Sequence, residues 1–328
     1  MRLSMAAILA EPGAGVRTAA PSDLTGAGRR KERRTDQLAK WTVLASGAAI
    51  VVVLAGVALF LLIQGAPALT AAASELPYQV DFWSLAGPLA FGSVWVSGLA
   101  LLFATPIAVA VALFISRLAP RSVSRYCGIA VDLLAAVPSV VYGLWGIMVL
   151  APNLAVCYRW LSENMGWFPL FAGTPSATGR TILTAALVLA VMVMPIMASV
   201  CREVFAQTPT ATSEAALALG ATKWETIRLA VLPFGRSGII SGAMLGLGRA
   251  LGETMAIAMV LSPTPLLVSL QLLNSTNPNT VAAMIAQTFP EANGLQVNAL
   301  ITLGLVLFAI TFVVNAFARR LARPKPEA

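Results

Sequence analysis

Residues Trp41–Ile63 read WTVLASGAAIVVVLAGVALFLLI, 23 positions without one charge. As an α-helix rising about 1.5 Å per residue, the run is about 35 Å long, enough to cross a hydrocarbon core about 30 Å thick. Its surface is apolar all round, whereas a helix on the outside of a soluble protein keeps a polar face. Five further stretches meet the same test, roughly 91–115, 127–151, 181–200, 238–262 and 298–318. Pro106, Pro138 and Pro195 fall inside the second, third and fourth of them. Within a bundle, neighbouring helices can satisfy the carbonyls that a proline frees, so these prolines are compatible with spans. The sequence therefore predicts an all-α membrane protein, a bundle of six transmembrane helices over residues 41–318.

The composition of the whole chain agrees. Of 328 residues, 58% are hydrophobic and 11% charged, against about 45–50% and about 25% in soluble proteins. Such a chain cannot cover a globule with polar surface, which excludes a soluble monomeric enzyme, a disordered protein and an array of polar repeats. The formal charge is +8, and its distribution explains it. With six spans, the termini share one side with the loops near 117–126 and 201–237, and nineteen of the 22 basic residues fall there. Only Arg159 and Arg180 fall in opposite loops, and Arg249 lies within a span. That asymmetry predicts a multi-pass membrane protein with both termini in the cytoplasm. It also makes the excess charge a topology signal rather than a nucleic-acid surface.

Residues 1–40 read as a disordered cytoplasmic tail and 319–328 as a cytoplasmic C-terminal tail. The cluster Arg29-Arg30-Lys31-Glu32-Arg33-Arg34 pins the first span or meets lipid headgroups. A cleaved signal peptide fits poorly, since MAAILA is short and the charges follow it. The outer loops, near 64–90, 152–180 and 263–297, carry Phe82-Trp83, Trp160 and Trp167-Phe168. Those aromatics suit an interfacial belt, or the docking of an external partner.

What is missing narrows the chemistry. There is no His, the commonest general base and metal ligand. Cys127, Cys157 and Cys201 have no CxxC spacing, so no metal site is expected. No Gly-x-x-x-x-Gly-Lys-Ser/Thr occurs, so a nucleotide that drives this chain has to sit on another subunit. No cofactor and no catalysis of bond chemistry are expected of the chain itself.

Two constellations carry information. The first is the loop 208–233, within QTPTATSEAALALGATKWETIRLAVLPFGR. Thr208-Pro209 starts a helix, with Pro in its first turn. Ser213 to Leu219 favour helix, and Gly220 supplies a left-handed stop. Thr222-Lys223-Trp224-Glu225 fits a capping box for a second helix that runs to Leu232-Pro233, with Trp224, Ile227 and Val231 as its apolar face. Two short helices hinged at a glycine make a docking element for a soluble partner. Glu214-Ala215-Ala216, Gly220 and Leu232-Pro233 resemble the EAA loop of bacterial ABC importer permeases, although Ala230 stands where members often carry Ile. The resemblance implies that this loop inserts into an ATP-binding subunit and couples its closure to the bundle.

The second constellation is Gly242–Ala256, GAMLGLGRALGETMA. The pairs Gly242/Gly246 and Gly248/Gly252 give two small-xxx-small faces for close helix approach. Arg249 and Glu253, at i and i+4, share a face of one continuous helix and can form a salt bridge. A charge near the bilayer centre costs about 2.5–3.5 kcal/mol on insertion scales. The pair must therefore face the bundle interior or a wet pathway, as a buried structural ion pair or as a guanidinium that meets a passing oxyanion. GLGRALGETMA, with VDLLAAVPSVVYGLWG at 131–146, REVFAQTP at 202–209 and GLVLFAITFVV at 304–314, resembles the phosphate-specific ABC permeases of PstC type over about residues 90–318. That resemblance implies a role in phosphate passage for Arg249 and Glu253. It implies as partners a second homologous permease subunit, a dimer of ATP-binding subunits and an external phosphate-binding protein.

In the third predicted span, Asp132 reads as a helix-end polar residue, or as a partner of Arg249 or a gate. Pro138-Ser139 can kink the helix and Tyr142 joins the candidates. Taken together, the expected function is the transmembrane permease subunit of an ATP-driven importer of inorganic phosphate. Another oxyanion or small solute is the near alternative. A secondary transporter or channel would carry internal repeats, and no second copy of the span-five pattern occurs. A scaffold would leave Arg249 unexplained.

Overall fold

The computed structural model describes residues 26–264 and 266–322. Residues 1–25, 265 and 323–328, and the side chains of 26–35 and 321–322, lie outside that description, and with them most of the tails and the side chains of the Arg29–Arg34 cluster. The described residues form α-helices with no β-strand, only two isolated bridges, Pro175 to Asn274 and Pro263 to Asn277. In order the helices are α1 Gly26–Thr70, α2 Phe82–Leu113, α3 Arg121–Ala135, α4 Ser139–Trp145, α5 Ala151–Met165, α6 Ile182–Ala206, α7 Thr210–Ala218, α8 Lys223–Thr226, α9 Leu232–Leu251, α10 Met255–Val260, α11 Val281–Thr288 and α12 Leu295–Ala322. Three π-helical turns, Phe114–Leu118, Gly146–Leu150 and Ile227–Val231, extend α2 and join α4 to α5 and α8 to α9.

Six helical stretches are long and apolar enough to span a membrane: Asp36–Thr70, Phe82–Leu118, Ser139–Met165, Ile182–Ala206, Lys223–Leu251 and Leu295–Arg320. The number matches the sequence expectation, but two spans differ in kind. The third begins at Ser139, not near 127, because Val137-Pro138 breaks the helix. Pro138 has no N–H to give and disfavours helical geometry at the residue before it. The preceding segment becomes α3, a separate amphipathic helix. Pro106 and Pro195, in contrast, sit inside α2 and α6 as expected. The fifth span ends at Leu251 with Gly252 as its cap, and the chain resumes helix only at Met255. The helix of the first span starts at Gly26, so residues 26–40 are helical where the sequence suggests an irregular tail.

The chain divides into two units, residues 1–59 and 60–328. In the first, α1 exposes its apolar side chains along residues 41–59. In the second, α6 is the central element. Its N-cap Thr181 accepts a hydrogen bond from the Thr184 N–H at 3.2 Å, and more than half of its residues are buried. A row of glycines on α9 lets that helix lie close against α6. A Cβ at Gly235, Gly238 or Gly246 would come within 3.0 Å of Phe205, Val204 or Met197, and one at Gly242 would be 3.3 Å from the Met197 carbonyl oxygen. Small residues at such spacing permit the close approach that packs helices in lipid, where no hydrophobic effect drives association. The expected Gly242/Gly246 face is thus in use. The Gly248/Gly252 face is not: a Cβ at Gly248 would meet nothing within 4 Å.

At the end opposite the 208–233 loop, the outer segments are hydrogen-bonded to each other rather than loose. Ser176 N–H donates to the Leu273 carbonyl at 2.8 Å, Leu272 N–H to Leu170 at 2.8 Å and Thr264 N–H to Asn277 at 2.9 Å. Within the second unit, the last turns of α1 are tied to α12 by Thr302 Oγ1 donating to the Gly65 carbonyl at 2.8 Å and Asn298 Nδ2 to that of Gln64 at 2.6 Å.

Candidate functional site

The 208–233 loop has the predicted two-part form with one revision. Pro209 is the N-cap residue of α7, one position before the helix proper. Gly220, at φ +86°, makes the left-handed turn, a conformation that a side chain would strain. The capping box forms: Thr222 N–H donates to Glu225 Oε2 at 2.7 Å and Glu225 N–H donates to Thr222 Oγ1 at 3.3 Å. The second helix does not stop at Leu232-Pro233. Pro233 sits in the first turn of α9, where a missing N–H costs little, so Lys223–Leu251 runs as one helical stretch. Ile227 and Val231 are buried against Phe205 and Cys201, which leaves Trp224 outside their apolar face at 62% exposure.

Glu214 and Ala215 are exposed on α7, with Ala216 half-buried. Between α7 and the start of the fifth span lies an open cleft of about 730 Å³, lined by Ala215, Ala216, Gly220, Glu225, Ala230 and Phe234. The small side chain of Ala230 is part of its floor. Leu219 stands 90% exposed at the rim. The loop tip thus presents apolar side chains around an open cleft.

The second centre is the break in the fifth span. Because Gly252 ends α9, Glu253 is not on the same helix as Arg249, and the predicted i,i+4 pair does not form. Among the described residues the only ion pair is Arg202 with Asp132. Glu253 is instead buried, 7% exposed, with Oε1 accepting the Ala256 N–H at 3.0 Å. Arg180 grips the other end of α10. Its guanidinium donates to the carbonyls of Met259 at 3.1 Å, Val260 at 3.3 Å and Leu261 at 2.7 Å. A carboxylate at the N-terminus and a guanidinium at the C-terminus both oppose the helix dipole favourably. α10 is thus a short half-helix fixed at both ends by charge. Its flank is fixed too: a Cβ on Gly143 would sit 2.8 Å from the Ala256 Cα, so α4 packs against it backbone to backbone.

Arg249 is half-buried, and its Nε is fully buried with no hydrogen-bond partner. It lies within electrostatic reach of Tyr142, whose hydroxyl donates to the Leu134 carbonyl at 2.8 Å across the Pro138 break. The structure therefore gathers Arg249, Glu253 and Tyr142 around two helix breaks. Ser139 is the first residue of α4 and Pro138 its N-cap. Asp132 lies apart from this group. It is on α3, accepts from Arg202 Nη2 at 3.3 Å and has no bond to Arg249. Neither Arg202 nor Arg180 was predicted as a site residue; both partnerships join segments far apart in sequence. The one available signal for Arg180 was its charge on the side where basic residues are scarce.

Six helices long and apolar enough to span a membrane, a break in the fifth and a half-helix held at both ends by charged side chains make this a multi-pass membrane protein. The chain belongs to the family of binding-protein-dependent transport system inner membrane components, whose model matches residues 104–324. Among its relatives, phosphate transport system permease protein PstC 2 of Mycobacterium tuberculosis is 45% identical over 307 residues, covering 90% of this chain and 94% of that one. The phosphate transport system permease protein PstC of Mesorhizobium japonicum is 39% identical over 303 residues, covering 88% and 90%. Among solved structures, a bacterial ABC transporter involved in the import of the acidic polysaccharide alginate matches with a TM-score of 0.58 at 18% identity, covering 90% of this chain and 99% of that one. The MetNI methionine ABC transporter, in an inward-facing conformation, matches at 0.52 and 16%, covering 74% and 95%. These two establish the ABC permease fold for the chain. It is an inner-membrane transport component and not an enzyme.

Proposed function

We infer that this chain is the transmembrane permease subunit of an ATP-driven importer of inorganic phosphate. The observation that carries the reading is the 45% identity to a phosphate permease across nearly the full length of both chains. The chain pairs with a second, homologous permease subunit to close the pathway. The 208–233 end and both termini face the cytoplasm, an orientation favoured by the nineteen basic residues that the sequence assigns to that side. There a dimer of ATP-binding subunits receives the loop of Glu214, Ala215, Ala216 and Gly220, with Leu232-Pro233 at its base. ATP is bound by those subunits alone. An external phosphate-binding protein delivers its anion at the opposite face, where the outer segments are held together by hydrogen bonds.

Within the bundle, Arg249 offers guanidinium donors to the anion, since a planar fork suits phosphate oxygens. Glu253, on the adjoining break, holds the half-helix in register and sets a negative charge beside the path. Tyr142, Ser139 and Pro138 line the facing break as a gate. Asp132 acts at one remove, through Arg202, by fixing α3 to the end of α6. Membrane lipid surrounds α1.

The test is uptake of labelled phosphate, sulfate and molybdate into vesicles that carry the whole complex, with and without ATP. Phosphate uptake that requires ATP is expected, and Arg249→Ala abolishes it while the complex still assembles. Preferential uptake of another anion, ATP-independent uptake or full activity of Arg249→Ala each contradicts part of this reading.

A further inference from the structure

We propose that the cavity between α9 and α12 is a phosphoryl-oxyanion site in which Arg319 acts together with Arg249. The cavity measures about 610 Å³ and takes Ser241, Gly248 and Arg249 from one face of α9, and Asn315 and Arg319 from one face of α12. It holds two guanidinium groups and no carboxylate lines it. Among the described residues neither arginine has an acidic partner, and the Arg249 Nε is buried without any hydrogen-bond partner. The pocket is open on one side, with Arg319 exposed at its mouth and Arg249 half-buried further in. Two like charges lining one pocket repel each other, and an anion between them relieves that repulsion.

The helix geometry favours the same conclusion. Side chains lean toward the N-terminus of their own helix. Consecutive spans run antiparallel, so the lean of each arginine, toward the loop end for Arg249 and away from it for Arg319, is toward the pocket that both line. At Gly248 the wall has no side chain, and a Cβ there would meet nothing within 4 Å, which leaves room beside Arg249. Ser241 and Asn315 add a hydroxyl and an amide to the arginine forks. Five donors per guanidinium in planar array match phosphoryl oxygens rather than a spherical halide.

Two sources present that chemistry: free phosphate on its way to the cytoplasm, or the headgroup of an anionic phospholipid that reaches in from the inner leaflet. The proposal rests on the reading of Arg249 given above and extends it to Arg319, Ser241 and Asn315.

The experiment uses the assembled complex in nanodiscs of phosphatidylcholine alone or with phosphatidylglycerol. Modification of Arg249 and Arg319 by phenylglyoxal is read by peptide mass spectrometry while inorganic phosphate is titrated, with chloride as control. Protection of both arginines by phosphate in phosphatidylcholine is expected if free phosphate is the occupant. Protection by phosphatidylglycerol without added phosphate identifies the headgroup instead. In either case Arg319→Gln, at an exposed helix end that tolerates the change, weakens the protection of Arg249 at least tenfold, and Arg319→Lys recovers part of it. Equal modification under all conditions, or undiminished protection of Arg249 in Arg319→Gln, overturns the proposal. Those outcomes are separate from a failure of phosphate uptake by the unaltered complex, which would count against the transport reading itself.

Discussion

Replacing Gly238 by Ala adds one methyl group at the place where α9 lies closest to Val204 of α6. The new Cβ would stand 2.6 Å from Val204 Cβ and Cγ2 and 2.7 Å from Cγ1. Carbon atoms in contact prefer about 3.5–4.0 Å, so the two helices must part by about 1 Å. Rotation of Val204 gives no relief, because all three of its outer carbons are already too close and a β-branched side chain is stiff in a helix. Overpacking of this kind costs about 1–3 kcal/mol. The helical preference for Ala over Gly returns about 0.5–1 kcal/mol, which leaves a net loss centred on about 1.3 kcal/mol, or about a tenfold shift toward unfolding. Unfolding of the purified chain in mixed micelles by added SDS, followed by circular dichroism, reads this as a lower midpoint. Gly304→Ala on α12, where a Cβ meets nothing within 4 Å, should move the midpoint the other way. The double variant Val204→Ala/Gly238→Ala should regain most of the loss, since the clash then has no partner. A midpoint for Gly238→Ala at or above the wild-type value refutes the close packing of α9 on α6.

Other consequences are checked in the same preparations. Gly220→Val forces a branched residue into a left-handed turn at φ +86°, a strain of about 1–2 kcal/mol; the chain should insert normally but co-purify poorly with the ATP-binding subunit. Arg180→Ala removes the donor for three carbonyls, each hydrogen bond to a charged group being worth about 1.5–3 kcal/mol. Hydrogen exchange over Met255–Leu261 should rise and uptake fall, with Arg180→Lys restoring part of both. The carboxylate of Asp81, which caps α2, is held below its ordinary pKa by the Ser84 hydroxyl and N–H. A lowered folded value stabilises above the unfolded value of about 3.9 and is lost as pH falls through the folded one. Exchange in the first turn of α2 should therefore accelerate beyond its intrinsic pH trend only below about pH 4, and Asp81→Asn should flatten that response.

The spans were legible because charge-free runs of twenty or more residues have few other uses, and the capping box at Thr222–Glu225 because it is a local pattern. Hydropathy, however, does not fall at a helix break. Residues 131–151 stay apolar across Pro138, so the third span is placed twelve residues early by composition alone. The same blindness joined Arg249 to Glu253 on one helix, when Gly252 ends the helix between them. Asp132 with Arg202, and Arg180 with α10, pair residues 70 or more positions apart. Such contacts depend on how helices assemble, which no local pattern encodes.

The continuity of Lys223–Leu251 has a mechanical side. At about 1.5 Å per residue this stretch is a rod about 43 Å long, with one end at the cleft beside α7 and the other at Arg249. A rod without a flexible joint transmits torsion. Turning it at Lys223 turns Arg249, whereas a hinge at Leu232-Pro233 would absorb the motion locally. The π turn at Ile227–Val231 sets the phase of this shaft, since one extra residue rotates everything before it by about 100° relative to an unbroken α-helix. Deleting a single residue there would leave both ends intact but turn one against the other by about 100°.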